Sequence, residues 1–246
     1  MFAMLMVQPF SLLARSFRRL REPLLEFGPG DGCLYLADRV LRSLHPSCGL
    51  FPYEFFVQQL PESGVLPVAL AKHVAAEHLV PGHPLLNELA TPHSEVARRF
   101  AAGAHAVAAV RKGKLLGYAW WCESLYLERE VRCMFVLAGS QDQVFDFDVY
   151  VLPEQRMGLG FMAVWHVLAQ QLRAHGVVSS VSRISRFNLA SRRAHARLGA
   201  RPIGRAVFLR LGAFSAVFLP MWPFCQLVCG RDRNLQLMLH QDRIGP

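Results

Sequence analysis

The chain has 246 residues, 27 Lys and Arg against 18 Asp and Glu, and a formal net charge of +9. Hydrophobic residues make up 52% and charged residues only 18%, which excludes a disordered chain; 18 Gly, 15 Pro and six Cys exclude collagen-like and disulfide-scaffold classes. The length fits one domain of ordinary size, or one domain with an appendage. Only Lys72, Lys112 and Lys114 among the basic residues are lysines. An arginine bias of this kind reflects genome base composition, and no nucleic-acid-binding motif accompanies it, so no nucleic-acid partner is expected.

Residues 1–13 are apolar and are followed by Arg15, Arg18, Arg19 and Arg21. The charge comes after the apolar run rather than before it, which is the wrong order for a signal peptide. The run is also too short to span a bilayer. Two readings stand: an N-terminal helix packed on the domain, or peripheral contact with an anionic membrane. A glycine turn follows at 28–32, then a helix near 33–44 and a strand near 53–60. The string Leu24–Gly32 resembles the first motif of nucleoside methyltransferases. Its context is wrong, because consecutive strands follow instead of alternating strands and helices. Residues 1–64 are expected to form an extension, and residues 65–246 the functional domain.

From residue 66 the pattern is more regular. Val68–Val74 reads as a strand and Pro92–Phe100 as a short helix. Strands at 104–110 and 115–122 are joined by a tight turn at Lys112-Gly113-Lys114, and further strands follow at 130–137 and 144–151. The period then changes from two to 3.6. Phe161, Val164, Trp165, Leu168 and Leu172 share one helical face that ends at His175-Gly176. Val177–Ile184 is a strand, Asn188 caps a helix that stops at Gly199, and a last strand or strand pair covers 203–218. Pro220 and Pro223 interrupt the apolar stretch 213–230, which leaves no clean membrane span. The six cysteines have no zinc-like spacing and read as structural thiols of a reduced, cytoplasmic compartment, with no metal.

The chemistry is concentrated between Gln143 and Gly199. A strand ending in Val149-Tyr150-Val151 runs through Pro153-Glu154 into Gln155-Arg156-Met157-Gly158-Leu159-Gly160, where a long helix begins. Glycines at a strand-to-helix turn let backbone amides converge on an anion, and the helix dipole adds to the attraction. This stretch resembles bacterial members of the GCN5-related N-acetyltransferases, whose Q/R-x-x-G-x-G/A loop is matched by Gln155, Gly158 and Gly160. The family's later Asn, Tyr and Gly positions are occupied here by Asn188, His195 and Gly199. The resemblance covers about residues 66–212.

It implies an α+β, three-layer fold with a mixed central sheet flanked by helices, to which the N-terminal extension is added. It also implies acetyl-CoA as co-substrate, with no metal. The backbone of Val149, Tyr150 and Val151 would pair with the pantetheine. Arg156, Met157, Gly158, Leu159, Gly160 and Phe161 would cradle the pyrophosphate, and Asn188 would complete the site. The acceptor would be a primary amine of a small molecule or peptide. A non-catalytic acyl-CoA-binding or membrane-associated protein is the alternative, as is transfer of a longer acyl chain or transfer to a hydroxyl.

An alkyl amine has a pKa of about 10.4 and must lose a proton before it attacks. Asp146, Asp148 and Tyr150 alternate along the strand and are expected on one face, opposite Phe147 and Val149. Two carboxylates so placed repel, which raises one pKa. Asp148 is the expected base and Glu123 the second candidate. His195 stands where the family has the tyrosine that protonates the leaving thiolate. His73 and His78 read as structural. Charge is segregated along the chain: residues 155–231 contain eleven Arg and no acid, while residues 122–154 contain seven acids against two Arg. This arrangement suits an anionic cofactor beside a cationic acceptor, or salt bridges between the halves.

Overall fold

The computed structural model describes residues 8–138, 142–156, 159–240 and 242–245, with side chains from Leu20 onward. The first element, α1 (Gln8–Leu44), is two helices that meet at Gly28, whose φ of 81° no helix accommodates, so the expected pair of helices is present, parted at Gly28 alone rather than by a turn over 28–32. Its second half is tied down. The rings of Phe27 and Tyr35 meet Phe187, Asp31 pairs with Arg186, and Asp38 accepts from the Leu50 amide at 2.8 Å.

Strand β1 (Cys48–Gln59) follows, then α2 (Val68–Ala71), β2 (Ala75–Leu79) and a 3-10 turn at Pro84–Glu88. The segment expected as a strand at 68–74 is therefore a one-turn helix with the strand displaced beyond it; Pro67 fixes φ at −54° and starts the turn. Helix α3 (His93–Ala101) precedes β3 (His105–Arg111) and β4 (Lys114–Cys122). Lys112 and Gly113 both take positive φ, 51° and 73°, the mirror-image turn whose twist suits a two-residue hairpin. Strands β5 (Leu125–Glu128), β6 (Cys133–Leu137) and β7 (Gln143–Val151) come next, followed by α4 (Gly160–Ala174), β8 (Ser179–Ser185) and α5 (Leu189–Arg197). The chain closes with β9 (Arg201–Leu211), β10 (Phe214–Phe218), β11 (Cys225–Cys229), β12 (Leu235–Leu239) and β13 (Ile244–Gly245).

Nine strands form the central sheet in the order β11-β10-β9-β1-β8-β7-β4-β3-β2. It is mixed, with β7 and β8 parallel and their outer neighbours antiparallel, and it is flanked by helices as expected. Strand β1, which comes from residues 1–64, lies inside this sheet. Tyr53–Gln59 pair with β8 on one side and Cys48–Val57 with β9 on the other, so the supposed extension supplies an internal strand.

On one face α4 lays Ala163, Val164, Val167 and Leu168 over Val107, Ala109 and Ala119, where small sheet residues let the helix approach. The other face carries Phe55, Trp120, Phe135, Phe145 and Phe208. Strands β5, β6, β12 and β13 form a second, four-stranded sheet, and Phe135 of β6 and Leu237 of β12 join that second core. The strand expected at 130–137 belongs there as β6, paired in parallel with β12.

Candidate active site

Strands β7 and β8 pair only from Gln143–Ser179 to Asp146–Ser182, and beyond that point they part. Past the vertex β8 continues against β1, while β7 continues against β4. The β8-facing edge of Phe147–Val151 is left without a strand partner. The vertex is pinned by chemistry. Asp146 is buried and accepts from Ser180 at 2.5 Å and from Ser182 at 2.7 and 2.9 Å. Burial raises its pKa; the nearby charge of His195 and the two hydroxyl donors act the other way.

Two residues past the vertex the strand bulges. The register between β4 and β7 shifts between Tyr118 and Trp120, and Asp148 has φ of 55°, in the left-handed region. The extra residue resets the alternation. Val144 and Val149 pack toward α4, whereas Phe145, Phe147 and Tyr150 pack on the opposite face. Asp146 and Asp148 were expected to share a face, and the bulge separates them. Asp148 instead meets Arg99 of α3 at 2.5 Å and Thr91 at 3.3 Å, both elements of the face opposite α4. No carboxylate pair forms, so the expected mutual repulsion is absent.

The α4 face carries features of an anion site. Among the described residues no side chain caps the helix's N-terminus, where Leu159 is the flanking residue, so its first amides are unclaimed by a cap. A Cβ at Gly160 would lie 2.6 Å from Val151 and 2.7 Å from the Gln155 carbonyl, so only glycine fits there. Arg156 folds back, donating to the Val151 carbonyl at 3.1 Å with its guanidinium 5.5 Å from the Tyr150 ring. A cavity of ≈ 250 Å³ bordered by Gln155, Leu159 and Gly160 opens beside it. Phe161 packs its ring 5.3 Å from His195. Met157 and Gly158 lie outside the described residues. What is seen of the loop fits a diphosphate-bearing thioester: an uncapped helix start, a glycine that nothing larger can replace and an open strand edge.

Asn188 caps α5, its Oδ1 accepting from the Ser191 amide at 3.0 Å. His195 is buried between the Trp165 and Phe161 rings, and its Nδ1 lies 2.8 Å from the Ser191 carbonyl. A carbonyl only accepts, so Nδ1 carries the proton and neutral His195 has none left on Nε2.

A second and larger cavity, ≈ 1180 Å³, lies on the face opposite α4. Phe147 and Asp148 from one arm of the fork and Arg183 from the other border it. Glu128 of β5 pairs with Arg183, and Tyr53 donates to Glu130 at 2.5 Å while its ring lies 4.2 Å from Arg183. These partners were not singled out in the sequence, because Tyr53, Glu128 and Arg183 come from three separate strands. Glu123 is not brought to the fork. It lies 3.6 Å from His105, in a cavity shared with His175 at the far end of α4, about 22 Å of helix from Gly160. Among the described residues no three metal-ligating side chains come together, and no helix is long and apolar enough to cross a membrane.

The fork in the sheet thus has an uncapped helix start and an open strand edge on one face and a charged cavity on the other. The model of the acetyltransferase (GNAT) family matches residues 75–200, just over half the chain, and the protein belongs to that family. Among solved structures it is similar to a tandem GNAT protein from the clavulanic acid biosynthesis pathway, with 18% identity over 66% of this chain and 53% of that one and a TM-score of 0.44. A GCN5-related N-acetyltransferase from Kribbella flavida shares 17% identity over 65% of this chain and 58% of that one, with a TM-score of 0.38. A glucosamine N-acetyltransferase region of a fungal multi-domain β-N-acetylglucosaminidase shares 12% identity over 70% of this chain and 23% of that one, with a TM-score of 0.47. The chain spans 65% and 53% of the length of the first two structures it matches. No curated protein sequence matches it.

Proposed function

We propose that the protein transfers an acetyl group from acetyl-CoA to a primary amine. The observation that carries this reading is the parting of β7 and β8 beyond Asp146 and Ser182, which leaves a strand edge open between the glycine-led start of α4 and the charged cavity. Acetyl-CoA supplies the acyl group as a thioester: a C–N bond forms to the amine, the C–S bond breaks, and the amine's proton is lost. The amides of Phe147–Val151 that face away from β4 hold and polarise the donor along the open edge. The unclaimed amides of α4, together with Arg156 and the glycine loop, hold its phosphates, and Asn188 fixes the start of α5 alongside.

Asp148, on the acceptor side of the bulge, receives the ammonium and takes its proton. Arg99 holds this carboxylate in an ion pair, so Arg99 must yield part of that contact to the incoming amine. His195 can protonate the departing thiolate only as imidazolium, because its Nδ1–H is committed to the Ser191 carbonyl. This is the weaker of the two assignments chemically, since a thiolate of pKa about 8.5 leaves without much help.

The test is thiol release from acetyl-CoA over a panel of amines, with calorimetry of acetyl-CoA alone. Amine-dependent release of CoA thiol is expected. Binding without turnover of any amine or alcohol would reduce the protein to an acyl-CoA-binding member of the family. Turnover of long-chain but not acetyl donors would overturn the choice of acyl group.

A further inference from the structure

The large cavity on the acceptor side has a charge balance that the transfer reaction does not require. Each of its four carboxylates is already engaged. Glu95 is held by Arg98 and Arg99, Asp148 by Arg99, Glu128 by Arg183, and Glu130 by the Tyr53 hydroxyl. The arginines outnumber them. Arg129, Arg210 and Arg231 border the cavity and form no ion pair among the described residues.

Two buried donors stand out. The Nε–H of Arg210 and the Nε–H of Arg183 are both buried, and neither has a hydrogen-bond partner among the described residues. Arg210 does place its Nη1 toward the backbone carbonyls of Glu130 and Arg129, at 3.2 and 3.4 Å, which fixes the side chain while leaving that donor unused. Buried guanidinium donors are rarely left unmade, and a planar fork of this kind matches a carboxylate or phosphate oxygen pair. A bare cationic amine would meet a field of its own sign here. An amine joined to an anionic group would not.

We propose that the acceptor is an amine carrying an anionic group, a carboxylate or a phosphate, on the same molecule, with that group held by Arg210 and Arg183 while the amine faces Asp148 at the fork. This rests on the acetyl-transfer reading and narrows its acceptor. The anion takes no part in bond making; it places the nitrogen.

The experiment compares matched acceptors with saturating acetyl-CoA: phenylalanine against phenethylamine, and phosphoethanolamine against ethanolamine. A second arm uses calorimetry of the enzyme–CoA complex with N-acetylphenylalanine against N-acetylphenethylamine. The anionic member of at least one pair should have a kcat/KM at least tenfold higher, or its product should bind at least tenfold tighter. Arg210→Met, which keeps the stem and removes the charge, should abolish that preference with acetyl-CoA affinity unchanged. Turnover with no preference for the anionic members, or a preference that survives Arg210→Met, overturns the inference and leaves acetyl transfer standing. Anion-dependent product binding without turnover of any acceptor supports the anion site and defeats the transfer reading. Neither turnover nor product binding defeats both.

Discussion

Ser182 and Asp146 are the last partners across the parallel pair β7–β8, and Ser182 donates to both oxygens of the Asp146 carboxylate, at 2.7 and 2.9 Å. A strand pair that must open at a fixed residue needs something stronger than a ladder bond at its closed end. The buried carboxylate with two hydroxyl donors supplies it. Ser182→Ala should lower stability by about 1–2 kcal/mol, which for a chain of this size is a drop in Tm of roughly 2–8 °C. Thermal unfolding checks this, and an unchanged Tm would show that the vertex is held elsewhere.

Asp148 bears a positive φ, a conformation that Asp and Asn tolerate and β-branched residues do not. Asp148→Asn should therefore fold normally and bind acetyl-CoA, while kcat falls by roughly 10². The loss should be largest at low pH, where the amine is mostly protonated, and shrink as pH approaches the amine's own pKa. A raised KM with unchanged kcat would make Asp148 an amine-holding group instead of a base. Asp148→Val should in addition lose about 1–3 kcal/mol of stability through backbone strain.

His195→Phe should cost less turnover than Asp148→Asn. The ring sits among Trp165 and Phe161, which a phenyl group can join, and its Nδ1 is already engaged by the Ser191 carbonyl. Steady-state rates across pH decide the order; a His195 variant worse at every pH, with acetyl-CoA still bound, reverses the roles.

Gly160→Val should weaken acetyl-CoA binding by at least about tenfold, or ~1.4 kcal/mol. The added Cβ lies 2.6 Å from Val151 and 2.7 Å from the Gln155 carbonyl, so the loop must move away from the start of α4. Calorimetry on a variant with a normal far-UV spectrum is the measurement, and full affinity would remove the glycine loop from the cofactor site.

His166 has its pKa lowered by burial, and its Nδ1 accepts from the amides of Val65 and Leu66 at 3.2 and 3.3 Å. The folded state thus favours the neutral ring. The unfolded state takes up a proton first as pH falls below about 6.5, so stability declines from there downward. His166→Asn keeps an acceptor without the titration. Between pH 7.5 and 5, the native protein should lose more Tm than this variant, and parallel losses would refute the linkage.

The strand–glycine–helix segment was legible because its residues are contiguous: alternation, then glycines, then a 3.6-residue period. Asn188 showed itself as a cap for the same local reason. What could not be read was set by distance along the chain. The bulge at Asp148 inverts the faces of the residues after it, and nothing in an alternating run announces one extra residue. Arg99 reached Asp148 from a helix 49 positions away. Of the segregated charges, Arg183, Arg186 and Arg192 are taken up by Glu128, Asp31 and Glu54, two of which lie before residue 60. The second sheet joins β6 to β12 across some hundred residues, and the composition of either strand alone gave no hint of the other.

The central place of β1 also sets a timetable for synthesis. Its apolar run Leu50–Val57 is made early, yet its neighbours β8 and β9 begin at Ser179 and Arg201. At about 5–20 residues per second, that strand leaves the ribosome roughly 6–24 s before the first of them. During that interval both of its edges lack their partner strands, the condition in which a strand pairs with whatever chain is nearest. Slow translation or a high density of nascent chains should therefore depress the yield of folded protein more than it would for a chain whose strands pair in the order they are made, and a holding chaperone should restore it.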